Sequence, residues 1–228
     1  MSPIHWLSRD GAPWFPPVSE ALREPEGLLA AGGDLTAERL IAAYERGIFP
    51  WYAPGQPVLW WSPDPRAVLY PEELRVSRSL SKRARNSGLI TRLDTAFDAV
   101  IRACAAPRSS DTGTWLTDEM IAAYEQLHAM GYAHSVEAWS GAELAGGLYG
   151  VCLGRVFFGE SMFSRKADAS KIALIRLVSE CRRRGIVLID CQLASAHLQR
   201  LGSRSISREA FLATLKEHCR PHRGEHWE

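Results

Sequence analysis

The chain has 228 residues, 46% hydrophobic and 23% charged, an ordinary balance for a globular protein long enough to bury a substantial core. No apolar run approaches the ~20 residues that cross a bilayer, and the opening "MSPIHWLSRDG" lacks the basic and apolar regions of a secretory signal, so a cytoplasmic protein is expected. Five cysteines without a C-x-x-C pair argue against a disulfide framework or a zinc ribbon.

The net charge of +1 hides an asymmetry. Residues 1–74 carry five Arg against ten Asp and Glu, and the excess of base lies in the remainder. Within it, "RVSRSLSKRARNSGLITRL" (75–93) holds Arg75, Arg78, Lys82, Arg83, Arg85 and Arg92 with no acid. Such a block suits a polyanion, because neutralising phosphates releases counterions, although charge alone favours a solvated surface stretch.

In chain order, the first sixty residues are punctuated by Trp, Pro and Gly, as in "GIFPWYAPGQPVLWWSPDP", and read as turns around one helix. Thr36 caps that helix, "AERLIAAYER", and Gly47 stops it. "SPDPR" (62–66) crowds turn formers into five positions and marks a boundary between a small N-terminal domain, 1–64, and a larger one, 65–228. "AVLY" then reads as a strand and 94–105 as a helix. Thr117 caps a further helix, with Asp118 and Glu119 in its first turn and Gly131 closing it.

Three strands follow at 134–139, 143–153 and 155–163, with Ser140-Gly141 and Gly154 at the turns of antiparallel hairpins. A long helix (168–184), the strand "IVLIDCQ" (186–192), a helix from about Ser195 and a closing helix near 207–219 complete the chain. Cys219 stands among His218, His222 and His226, but Pro221 breaks the helical spacing and "RPHRGEHWE" reads as a polar tail. No metal is expected there.

Two stretches carry polar groups where apolar ones are expected. Alternation along "IVLIDCQ" puts Ile186, Leu188, Asp190 and Gln192 on one face and Val187, Ile189 and Cys191 on the other. Cys191 has no partner base on its face and reads as a packed thiol. Glu160, between "VFF" and "SMF", is costly to bury unless paired. It is either a bonded core acid or a contact for a cationic substrate.

The order of elements is α+β, with a central, mostly antiparallel sheet, and resembles the N-acetyltransferase-like fold. Those enzymes hold coenzyme A pyrophosphate on a glycine-rich turn, whereas the matching junction here, "GESMFSRKADASK", has no such cradle. Seven stretches in order, "GIFPWY", "GTWLTDEM", "HSVE", "GGLYGV", "GESMFSR", "ASK" and "LIDCQ", are similar to the leucyl/phenylalanyl-tRNA–protein transferase family over about residues 10–215.

The resemblance implies transfer of Leu or Phe, with Met as a further donor, from charged tRNA to proteins that begin with Arg or Lys. The products are marked for N-end-rule degradation, and the reaction uses no cofactor, metal or membrane. It implies a catalytic pair, Asp190 and Gln192, assisted by Glu160. The implied donor pocket is Leu148, Phe157, Met162, Leu177, Cys181 and Ile189, with Leu177 and Cys181 where better-known members have aromatic residues. Trp51 and Trp115 occupy the positions that grip the terminal adenosine. Arg75, Arg78, Lys82, Arg83 and Arg85 are candidates for the tRNA body, and Arg165 and Lys171 for the region near the 3′ end. Two alternatives stand beside this one: a coenzyme A-dependent N-acetyltransferase and a non-catalytic RNA-binding protein.

Overall fold

The computed structural model describes residues 4–106, 116–220 and 224–227. A four-stranded sheet comes first, built from β1 (His5–Leu7), β2 (Leu28–Gly32), β3 (Phe49–Pro50) and β4 (Leu59–Trp61) in the order β1-β2-β4-β3. Helix α1 (Ala37–Tyr44) is inserted between β2 and β3. Thr36 caps it by accepting from the Arg39 amide, as its sequence requires.

The second sheet has seven strands. They are β5 (Arg66–Leu69), β6 (Ile90–Leu93), β7 (Ala133–Ser140), β8 (Glu143–Leu153), β9 (Val156–Ser164), β10 (Leu188–Gln192) and β11 (Arg204–Ile206), ordered β11-β5-β10-β9-β8-β7-β6. Every pairing is antiparallel except β9 with β10, the two strands joined through helix α5 (Ala169–Arg184). The mixed α+β architecture is therefore as expected. The basic stretch, which sequence left unassigned, folds as helix α2 (Arg78–Asn86) followed by the edge strand β6.

Each face of the large sheet has its own cover. Helix α5 lies on one, where Leu148, Phe157 and Ile189 meet Ala173, Leu174 and Leu177. The other packs against α3 (Phe97–Ala105), α4 (Asp118–Ala129) and the small sheet, in one cluster that includes Tyr44, Trp60, Tyr124, Tyr149 and Phe158. Thr117 caps α4 through the Met120 amide. Short α6 (Ala196–Arg200) and α7 (Arg208–His218) follow β10 and flank β11.

Alternation holds over Leu188–Cys191, since Leu188 joins the cluster under the small sheet and Ile189 the one under α5. It fails outside that span. Ile186 packs with the α5 cluster and Val187 with the opposite one, because pairing with β9 begins only at Leu188.

Candidate functional site

Strands β9 and β10 pair only over Val156–Phe158 and Leu188–Asp190, and then diverge. Each carries a bulge where they part. On β9, Tyr149 faces Ser161 and Gly150 faces Gly159, so Glu160 is the extra residue. Gly150 is needed there, since a Cβ would fall 2.2 Å from the Phe158 carbonyl oxygen. On β10, Asp190 faces Val68 and Gln192 faces Ala67, so Cys191 is extra. Gln192 turns into the left-handed region at φ 61°. Two bulges side by side open the sheet and re-aim the side chains at the split.

The result is a polar cluster assembled from four elements. Gln192 Nε2 donates to Glu160 Oε1 at 3.0 Å. Tyr44 of α1 donates to the same oxygen at 2.8 Å, and Tyr124 of α4 donates to Oε2 at 2.9 Å. The two phenol oxygens are 2.6 Å apart. Burial pushes the Glu160 carboxyl up to about 7, against the phenol hydrogen bonds that favour its anion. Burial, with the Glu160 charge added, holds both phenols well above their usual range, so they remain donors.

Asp190 is occupied in a way the sequence did not foretell. Its two oxygens accept from Arg66 Nε at 2.9 Å and Nη2 at 2.8 Å, a bidentate pair in which both side chains are buried. The guanidinium also reaches the Gly47 carbonyl at 3.1 Å and lies over the rings of Phe49 and Phe211. Asp190 Oδ1 further accepts from the Gln192 amide at 2.9 Å. The aspartate is thus the anchor that holds Gln192 in its turn, and the cation it binds is internal.

Beside the cluster lies an apolar cavity of about 140 Å³. That is close to the ~150 Å³ of a dry cavity that takes benzene, the size of one aliphatic or aromatic side chain. Leu148, Phe157, Met162, Leu177 and Ile189 line it, and Glu160, Asp190 and Gln192 form its polar wall. Cys181 does not: it is fully buried one turn further along α5, away from the split, and Leu174 lines the cavity instead. Cys191 also lines it, together with Leu198 of α6. Burial pushes that thiol up, which leaves it a packing group.

Trp51, just after β3, is exposed and tilted against Trp61 at 5.6 Å. Trp115 lies outside the described residues. Arg75, Arg78, Lys82, Arg83 and Arg85 are all exposed, on or beside α2. Asp168 ties Arg83 (2.9 Å) to Lys171 (2.6 Å), and together with Arg75, His197 and Arg200 they line a groove between α2 and the start of α5. Arg165 is exposed, with its guanidinium over Phe163 and directed at the Leu144 carbonyl.

Sequence reading missed Arg66, Tyr44 and Tyr124. Tyr44 and Tyr124 sit at apolar helical positions and were legible only as core. Arg66 opens the strand "RAVL" immediately after the turn formers, and a charge at the head of an apolar run was the available signal.

Comparison with known proteins places this cavity, walled by a carboxyl and an amide, in a transferase. The family described as leucyl/phenylalanyl-tRNA protein transferase matches residues 68–216, and the description of its N-terminal domain matches residues 33–64. Curated proteins named leucyl/phenylalanyl-tRNA–protein transferase are similar over nearly their whole length. The one from Chromobacterium violaceum is 57% identical over 95% of this chain and 92% of its own. That from Nitrosospira multiformis is 58% identical over 98% and 96%. Among solved structures, a GCN5-related N-acetyltransferase from Kribbella flavida is a distant likeness, with a TM-score of 0.43 and 11% identity over 72% of this chain and 58% of that one. The chain belongs to the leucyl/phenylalanyl-tRNA–protein transferase family.

Proposed function

We propose that the protein moves leucine or phenylalanine, with methionine as a further donor, from charged tRNA to the α-amine of proteins that begin with Arg or Lys. In the cytoplasm this marks the acceptor for N-end-rule degradation. The observation that carries the reading is the apolar cavity whose wall is the Glu160–Gln192–Asp190 cluster. The cavity takes the donor side chain, which brings the ester carbonyl to the split between β9 and β10.

The acceptor nitrogen attacks that carbonyl carbon, an amide bond forms, and the bond to the ribose oxygen breaks. The amine's proton ends on the departing hydroxyl. An α-amine has a pKa of ~7.7–8, so roughly a tenth or more is neutral at pH 7 and no strong base is required. Gln192 spends its amide hydrogen on Glu160, which leaves its carbonyl oxygen to accept from the incoming amine. Glu160, titrating near neutrality, takes up or stabilises positive charge at the acceptor. Asp190 acts through Gln192, whose backbone it fixes. Most of the acceleration comes from holding ester and amine together.

Trp51 and Trp115 serve as stacking platforms for the terminal adenosine. Arg75, Arg78, Lys82, Arg83 and Arg85 meet the tRNA body, and Arg165 and Lys171 the region near the 3′ end. The test is to mix purified protein with labelled Leu-tRNA and a peptide that begins with Arg. Label on the peptide is expected without added ATP, metal or coenzyme A. No transfer, with acetylation from acetyl-CoA instead, overturns the reading.

A further inference from the structure

The C-terminal tail, residues 224–227, returns to the far corner of the large sheet and is built into it. Gly224 lies backbone to backbone against Gly131 at the end of α4: a Cβ on Gly131 would sit 2.7 Å from the Gly224 carbonyl carbon, and one on Gly224 2.2 Å from the Met130 carbonyl oxygen. Trp227 is buried, with its ring stacked on His134 at 4.2 Å and its amide donating to Asp94 Oδ2 at 2.9 Å. His226, between these two anchors, is exposed, and its ring stands edge-on to His128 at 5.6 Å.

Three donor groups from separate parts of the chain thereby converge. Asp94, from the turn between β6 and α3, His128, from the last turn of α4, and His226 each offer one ligand atom, all within 4.8 Å of one another. The supporting contacts are those that metal ligands use. His128 Nδ1 is 2.8 Å from the Ala133 carbonyl, which holds the ring and leaves Nε2 as its free nitrogen. Its ring stacks on Phe97 at 4.2 Å. Asp94 is set at φ 52°, uncommon for a residue with a side chain, and accepts from the Ser135 amide, His134 Nδ1 and the Trp227 amide.

We infer that Asp94, His128 and His226 form a binding site for a divalent transition-metal ion that clips the tail to α4 and the β6–α3 turn. Two imidazoles and one carboxylate favour Zn²⁺ over Mg²⁺ or Ca²⁺, which take oxygen donors. Donors around tetrahedral Zn²⁺ stand about 3.3 Å apart, so the group must close by somewhat over 1 Å. His226, the exposed member, supplies that movement, and water completes the coordination. The site does not follow from ligand spacing along the tail, because two of its three ligands come from the body of the fold.

The experiment uses the full chain, stripped with a chelator and titrated with Zn²⁺ by calorimetry, with Co²⁺ absorption as a second probe. One ion per chain is expected, together with a Zn²⁺-dependent rise in melting temperature. His226→Ala, on an exposed side chain that does not burden folding, should weaken binding by about tenfold or more, as should His128→Gln. His218→Ala, in the same region but outside the cluster, should leave it unchanged. Absence of one-to-one binding, or binding that His226→Ala leaves intact, overturns the proposal.

Discussion

Arg66 and Asp190, 124 residues apart, form a buried bidentate ion pair that fixes the base of the polar cluster. Removing one partner leaves the other charge buried and alone. Arg66→Met is therefore expected to cost about 3–5 kcal/mol of stability, read by denaturant unfolding. Replacing both residues by apolar ones should recover part of that loss; a single variant as stable as the parent would refute a structural pair.

Glu160 gives the site a pH dependence whose sign can be worked out. Its ordinary value of 4.5 applies to the unfolded chain, and burial raises it to about 7 in the fold. Between those values the unfolded chain binds fewer protons than the folded one, so stability falls as pH rises from 4.5 to 7. Glu160→Gln should flatten that decline in melting curves taken across the interval. For activity, ionisation of Glu160 adds a rising limb to kcat/KM near pH 7, below the limb of the acceptor amine at ~7.7–8, and Glu160→Gln removes the first limb only.

The cavity predicts donor selectivity. At about 140 Å³ it holds one ring or one branched chain. Leu177→Phe should fill part of it and reduce transfer of phenylalanine more than that of leucine, by about tenfold in the ratio of kcat/KM values. Equal losses for both donors would take Leu177 out of the discrimination.

Exposed cations on α2 differ in what they have left to offer. Arg83 is already paired with Asp168, whereas Lys82 and Arg85 have no carboxylate partner among the described residues. Lys82→Ala with Arg85→Ala should weaken tRNA binding and reduce the salt slope by about one unit per lost phosphate contact. Arg83→Ala should do less. A slope unchanged by the double variant would remove this helix from the tRNA interface.

What was legible in the sequence was local. Thr36 and Thr117 cap the helices that their spacing announced, and Gly141 and Gly154 turn the hairpins they punctuate. Leu148, Phe157, Met162, Leu177 and Ile189, which the family resemblance grouped, lie together around one cavity. The failures are long-range. Nothing near Asp190 announces Arg66, and strict alternation cannot anticipate the bulge that turns Gln192 toward Glu160. Leu177 and Cys181 share a helix face, but the cavity extends the other way along α5, to Leu174. Tyr44 and Tyr124 looked like core and are core, except for the hydroxyls that reach Glu160.

The proposed positioning of the acceptor amine by Gln192, at the split between β9 and β10, can be read from one rate. Its most direct test is the single-turnover rate of leucine transfer from Leu-tRNA to an Arg-initiated peptide in Gln192→Ala. The rate should fall by about a hundredfold or more with tRNA affinity unchanged. A rate equal to that of the parent would rule out this role for Gln192.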